Sequence, residues 1–197
     1  MKIFGSIGRI GSGKDEVIKY LSKECGLPMI SVGDIVRQIA TDEGLPPSRD
    51  NLHHISSQLF REHGKTYFMN LVLQRVMDKG WEKAGVTGIR TPDDVRHLKH
   101  RLDGDLVLFH VYVDDPRLRY ERVTQRKSAR DPEDYQSFIA QDTEEETMFH
   151  IDEASAMADY SLDNSGTRED LHREIDEIVS EECPALESSR SKGANHA

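Results

Sequence analysis

The sequence lacks the marks of a secreted, membrane-spanning or nucleic-acid-coating chain. It has only two cysteines in 197 residues, Cys25 and Cys183. They lie far apart and in no metal-ligand spacing, so neither a zinc site nor a disulfide framework is expected. No apolar run reaches the roughly 20 residues of a membrane span. Met1 leads directly into a candidate strand without a signal-peptide pattern, which sets the expectation of a cytoplasmic protein. Basic residues are outnumbered, with 26 Lys and Arg against 36 Asp and Glu, for a net charge of −10. That balance disfavours nonspecific binding to nucleic acid or anionic membrane. An anionic ligand would therefore need a local cationic pocket. There is one Trp, Trp81, read as packing, and no internal repeat.

The remaining pattern alternates short apolar runs with helical stretches. Runs at 2–7, 28–32, 85–88, 106–113 and 160–162 read as strands, the fourth being nearly continuous and rich in β-branched residues. Helical spacing follows from Lys14 to about Glu24, from Gly33 to Ala40, twice between Arg49 and Lys79 with a break at Gly64, from Pro116, and from Arg168 to Val179. A polar helical excursion containing Glu144–Glu146 lies between the last two strands. Strands separated by helices imply an α/β fold with a parallel sheet covered on both faces. From Pro184 the residues are small and polar, so 184–197 reads as a flexible tail on a domain spanning 1–183. His110 lies inside the strongest strand and reads as a core histidine. His53 and His54 read as surface residues of the helical region.

Gly8-Arg9-Ile10-Gly11-Ser12-Gly13-Lys14 follows a strand and opens a helix, the context that a Walker A phosphate loop requires. Its glycines let successive backbone N–H groups curl around phosphates, the helix adds its positive end, and Lys14 reaches the terminal phosphates. Gly64-Lys65-Thr66 has neither a strand nor glycines before it and reads as a helix break. After Lys14 the usual Ser or Thr, a Mg²⁺ ligand, is replaced by Asp15. A carboxylate can also bind Mg²⁺, and an acid in a first helical turn is favoured by the helix dipole alone. Both readings of Asp15 stand.

At the end of the second strand comes Ser31-Val32-Gly33-Asp34-Ile35-Val36-Arg37, in which Gly33 permits close approach to a ligand. Asp34 and Arg37 stand three apart on a helix, where they can salt-bridge each other or serve a phosphate. Together with the phosphate loop, this segment resembles the adenylate kinase family of nucleoside monophosphate kinases, whose second strand ends in Thr/Ser-x-Gly-Asp-x-x-Arg. The closer resemblance is to a poorly characterised, largely archaeal group of adenylate-kinase-like proteins, and it covers Lys2 to about Val179.

The resemblance implies the P-loop NTPase fold: a five-stranded parallel sheet flanked by helices, a small helical lid at about 116–148, and an acceptor-binding helical region at about 33–80. It implies an ATP- and Mg²⁺-dependent phosphotransferase acting on a small phosphorylated acceptor, most simply a nucleoside monophosphate. Gly8, Gly11, Ser12, Gly13, Lys14 and Asp15 would hold the ATP phosphates, and Asn164 and Gly166 the base. Ser31, Gly33, Arg37, Gly88 and Arg90 would hold the acceptor. Arg119, Arg122 and Arg126 share one helical face by spacing. By resemblance Arg122, Arg126 and Arg130 are the lid arginines that, with Lys14, stabilise the transferring group. Asp34 would orient the acceptor, or act as base toward a hydroxyl acceptor such as dephospho-coenzyme A. A nucleotide-dependent switch or slow ATPase is the other class of function left open.

In the family the residue before Gly88 is an acid that supports Mg²⁺; here it is Thr87. Asp15 and Thr87 therefore invert the usual placement of hydroxyl and acid. The expectation is that the two exchange roles around one metal ion.

Overall fold

In the computed structural model, residues 1–125 and 131–180 are described. Five strands form one sheet: β1 (Lys2–Ile7), β2 (Met29–Ser31), β3 (Lys83–Thr87), β4 (Leu106–Tyr112) and β5 (Tyr160–Asp163). Their order is β2-β3-β1-β4-β5, and every pairing is parallel. The central β1 places Gly5 opposite Val86 on one side and Leu108 on the other.

Period-two alternation divides the strands between two cores. Ile3, Ile7, Leu106 and Leu108 face one side and join α2 (Val32–Asp42), α3 (Arg49–His63), α4 (Tyr67–Asp78), α5 (Pro92–Leu102) and α8 (Ile151–Ser155). Phe4, Phe109, Val111 and Leu162 face the other side and join α1 (Lys14–Cys25) and α9 (Arg168–Val179). Two helices, α6 (Pro116–Gln125) and α7 (Tyr135–Phe149), connect β4 to α8 and pack against each other.

Most differences from the sequence reading are local. The second strand ends at Ser31 because that residue caps α2, its side chain accepting from the Asp34 N–H. The helix α5 had no counterpart in the sequence reading. It starts at a capping box in which Thr91 and Asp94 satisfy each other's backbone, with Pro92 in the first turn. Gly64–Thr66 does separate α3 from α4. Trp81 packs half-buried against the first core. His110 is half-buried beside Tyr112, and desolvation lowers its pKa.

Cys25 is disulfide-bonded, contrary to expectation, and the other half of the bond lies outside the described residues. Sequence separation was a poor guide here because α1 packs directly against α9, the last described helix.

Parallel strands have one consequence for function. Every carboxyl end opens on the same edge of the sheet, where ligands bind in open α/β folds. The phosphate loop, the Ser31–Arg37 segment, the Thr87–Arg90 segment, the start of α6 and the Asn164 turn all meet there.

Phe109 is fully buried at the centre of the second core. Phe109→Ala should cost about 3–5 kcal/mol of unfolding free energy, read as a lowered urea midpoint with an unchanged slope.

Candidate active site

The loop Gly8–Lys14 joins β1 to α1 in the tight form that its glycines allow. Gly11 and Gly13 have positive φ, 76° and 88°. A Cβ on Gly11 would stand 2.5 Å from the Arg119 carbonyl oxygen, so the loop apex packs directly on α6. Gly13, with no side chain of its own, is the N-cap of α1, so the loop runs straight into the positive end of that helix. Lys14 Nζ donates to the Arg9 carbonyl at 3.3 Å.

Two side chains hold the loop from outside. Arg119 Nη1 donates to the Ile10 carbonyl at 2.9 Å, and Asn164 Nδ2 donates to the Ser12 carbonyl at 2.8 Å. Arg119 is buried and forked onto Asp142 by bonds of 2.8 and 2.9 Å. Arg9 reaches the same carboxylate at 3.3 Å, and its Nε donates to Asp152 at 2.9 Å. The hydrogen bond to Arg9 holds the Asp152 carboxyl below its ordinary range, and the same bond raises the Arg9 guanidinium.

Arg119 and Arg122 do not share an exposed face as their spacing suggested. Arg119 turns inward to Ile10 and Asp142, while Arg122 Nη2 reaches the Gly166 carbonyl at 3.4 Å. Arg122 Nη1 and Ser12 Oγ are buried without a hydrogen-bond partner among the described residues. Arg126 and Arg130 lie outside the described residues.

From the phosphate loop a cleft of about 370 Å³ runs toward the ends of β2 and β3. Gly11, Lys14, Asp15, Ser31, Gly33, Arg37, Thr87, Gly88 and Arg90, all singled out from sequence, line it. Asp34 is exposed and does not line it, and its Oδ1 accepts from Arg37 Nε at 3.1 Å and also from Nη2. Arg90 stands 3.7 Å from Glu145 and lies over the Phe149 ring at 5.1 Å. Arg37 and Arg90 thus each lie beside a carboxylate. The cleft lining mixes apolar side chains, among them Val36, Phe60, Phe68 and Phe149, with polar ones such as Ser56, Gln141 and Glu144. His53 and His54 are both exposed, as expected, and His53 also borders the cleft.

The sequence reading missed several residues that shape this site. Asp94 is buried in the cleft wall, and its Oδ2 accepts from the N–H groups of Arg90 and Thr91 at 3.2 and 3.0 Å. Burial pushes its carboxyl up in pKa, offset in part by those N–H groups. The Thr91-Pro92-Asp93-Asp94 cap was legible; the Arg119–Asp142 pairing, 23 residues apart, had no local signal.

The two expected metal donors, the Asp15 carboxylate and the Thr87 hydroxyl, line one cleft, together with the carboxylates of Asp94, Glu144 and Glu145. Among the described residues no group of three His, Cys, Asp or Glu side chains could hold a metal ion by itself. Sparse oxygen donors fit Mg²⁺, which is bound largely through substrate phosphates and water. They do not make a self-sufficient metal centre.

Comparisons with known proteins place the chain in a family and identify its fold. A family model described as an AAA domain matches residues 7–139. The chain is 32% identical over 176 residues to a UPF0200 protein of Thermococcus kodakarensis, covering 88% of this chain and 94% of that one. A UPF0200 protein of Pyrococcus horikoshii is 30% identical over the same span, with the same coverage. Among solved structures, shikimate kinase from Acinetobacter baumannii in complex with shikimate superposes with a TM-score of 0.55 at 12% identity, covering 91% of this chain and 92% of that one. A gluconokinase from Sinorhizobium meliloti gives 0.51 at 14% identity, covering 100% and 97%. The fold is that of the P-loop kinases.

Asp94→Ala would uncap α5 and leave the Arg90 and Thr91 N–H groups without their acceptor. It should lower stability by about 1–2 kcal/mol, measured by thermal or urea unfolding, with Asp94→Asn close to wild type.

Proposed function

Because the chain belongs to the UPF0200 family and has the P-loop kinase fold, we propose that it transfers the γ-phosphoryl group of ATP to a small anionic acceptor, most simply a nucleoside monophosphate. The observation that carries this reading is the continuity of one cleft from Lys14 and Asp15 to Arg37 and Arg90, with aromatic and aliphatic side chains in its lining. Two arginines beside apolar side chains suit a flat body carrying a phosphate, which is what a nucleoside monophosphate is.

In this reading Gly8–Lys14 hold the β- and γ-phosphates, and Asn164 and Gly166 border the base. An acceptor phosphate oxygen, already ionised, attacks Pγ, the Pγ–O bond to the β-phosphate breaks, and ADP departs. No general base is needed. A hydroxyl acceptor such as dephospho-coenzyme A would need one, and Asp34 does not offer it from the cleft, since it is exposed, lies outside the lining and is bonded to Arg37. Lys14 and Arg122 would offset charge on the transferring group, and the resemblance assigns the same role to Arg126 and Arg130. Mg²⁺ would neutralise phosphate charge, with Asp15 and Thr87 as its protein donors.

A coupled assay for ADP formation, run over nucleoside monophosphates, dephospho-coenzyme A and phosphomevalonate against an acceptor-free control, tests the reading. At least one nucleoside monophosphate should raise turnover more than tenfold over the control. Turnover that no acceptor raises would leave an ATPase or switch instead.

The exchange of metal roles has its own test. Asp15→Ser should cut Mg²⁺-dependent turnover by about 10²-fold, on the scale of losing one electrostatic contact to the reacting phosphates. Adding Thr87→Asp should restore part of it. Asp15→Ala with unchanged turnover and Mg²⁺ dependence would dismiss the idea.

A further inference from the structure

A trans peptide is planar, so its C=O and N–H point in opposite directions. Holding the carbonyl of one residue therefore fixes the direction of the N–H of the next. Two peptides of the phosphate loop are held in this way. Arg119 takes the Ile10 carbonyl, which belongs to the same peptide as the Gly11 N–H. Asn164 takes the Ser12 carbonyl, which belongs to the same peptide as the Gly13 N–H. Both carbonyls are drawn to side chains packed on the outside of the loop, so both N–H groups are turned the other way, into its concave side.

We propose that Arg119, oriented by Asp142, and Asn164 are positioning residues that aim the Gly11 and Gly13 N–H groups at the phosphates of the bound nucleotide. The inference rests on the reading of Gly8–Lys14 as a phosphate site, but not on the identity of the acceptor. It changes the role of both residues. Arg119 is not a lid arginine reaching over the donor, since its guanidinium is enclosed by Asp142, Ile10 and the Phe138 ring. The Asn164 side chain acts on the loop, so any contact of this turn with a base is left to its backbone.

The packing allows little slack. A Cβ on Gly11 would meet the Arg119 carbonyl oxygen at 2.5 Å, and one on Gly13 would meet Asn164 Nδ2 at 2.2 Å. Each holding residue is thus in contact with the glycine whose N–H it directs. Glycine is required at both places by positive φ as well. Arg119 needs Asp142 because a buried guanidinium without a counter-charge would be strongly destabilising; forked onto that carboxylate, it has one Nη1 hydrogen left for Ile10.

The test uses the full chain, ADP with Mg²⁺ as the probe, and ¹⁵N-glycine labelling. Wild type should show the Gly11 and Gly13 amide protons moving downfield on ADP binding. Asn164→Asp removes the donor to Ser12 and should abolish the Gly13 shift while sparing Gly11. Arg119→Met/Asp142→Leu exchanges the ion pair for apolar side chains, a replacement that commonly preserves folding, and should do the reverse. Arg119→Lys, which keeps the charge and can still reach one carbonyl, is the second variant for this arm and should recover part of the Gly11 shift. Each loss should weaken ADP binding by about tenfold or more, the worth of one charge-assisted hydrogen bond. Wild-type shifts in both variants, or equal loss at both glycines in either variant, would overturn the proposal. No ADP binding by the wild-type protein would overturn the phosphate-site reading itself, a different outcome from either.

Discussion

The Arg119 guanidinium lies where a charge survives only because Asp142 accepts two of its N–H groups and the Ile10 carbonyl a third. That pair ties three parts of the chain together: the apex of the phosphate loop, the helix leaving β4, and α7. Arg9 adds a second tie from the loop to Asp142 and Asp152. A buried ion pair is poor evidence of stability for its own sake, since apolar side chains of similar volume often do as well. Its value here is direction. It fixes where a loop of small residues points, which apolar packing could not do for a stretch with so few side chains.

The same helix, α7, sits between the two halves of the cleft. Asp142 faces the phosphate loop, while Glu145 and Phe149 face Arg90. The Arg119–Asp142 pair therefore ties α6 to α7, and α7 lines the cleft through Gln141, Glu144, Glu145, Met148 and Phe149. Arg37 and Arg90, each beside an acid, show how an acidic protein holds cationic groups in place. A carboxylate near each guanidinium keeps it in the cleft, and a doubly charged phosphate is a stronger partner for the same fork.

Much of this was legible because the relevant signals are local. Walker A spacing, a β-branched run at 106–113 and the Gly33–Arg37 segment each carry their meaning within a few residues, and parallel topology then brings them to one edge. The cap at Thr91–Asp94 was equally local, yet α5 went unread because its interior is rich in charge, with only Val95, Leu98 and Leu102 buried as an apolar stripe. Arg119 was the hardest residue to read. Helical spacing set it beside Arg122 and Arg126, but its role depends on Asp142, 23 residues further on, and on a backbone carbonyl, and neither leaves a trace in sequence. Asn164 was found for its position after the last strand, while the group it actually holds, the Ser12 carbonyl, lies 152 residues away.

In the proposed function one cleft holds a nucleoside triphosphate and an anionic acceptor end to end. A dinucleoside pentaphosphate spans both positions in a single molecule, and its dissociation constant can be compared with that of ADP by titration calorimetry in Mg²⁺. The account predicts binding at least about 10²-fold tighter than ADP, as expected when a second site is engaged through a linker of matching length. Affinity no better than that of ADP would mean that only the phosphate loop is occupied, and would contradict the two-substrate cleft.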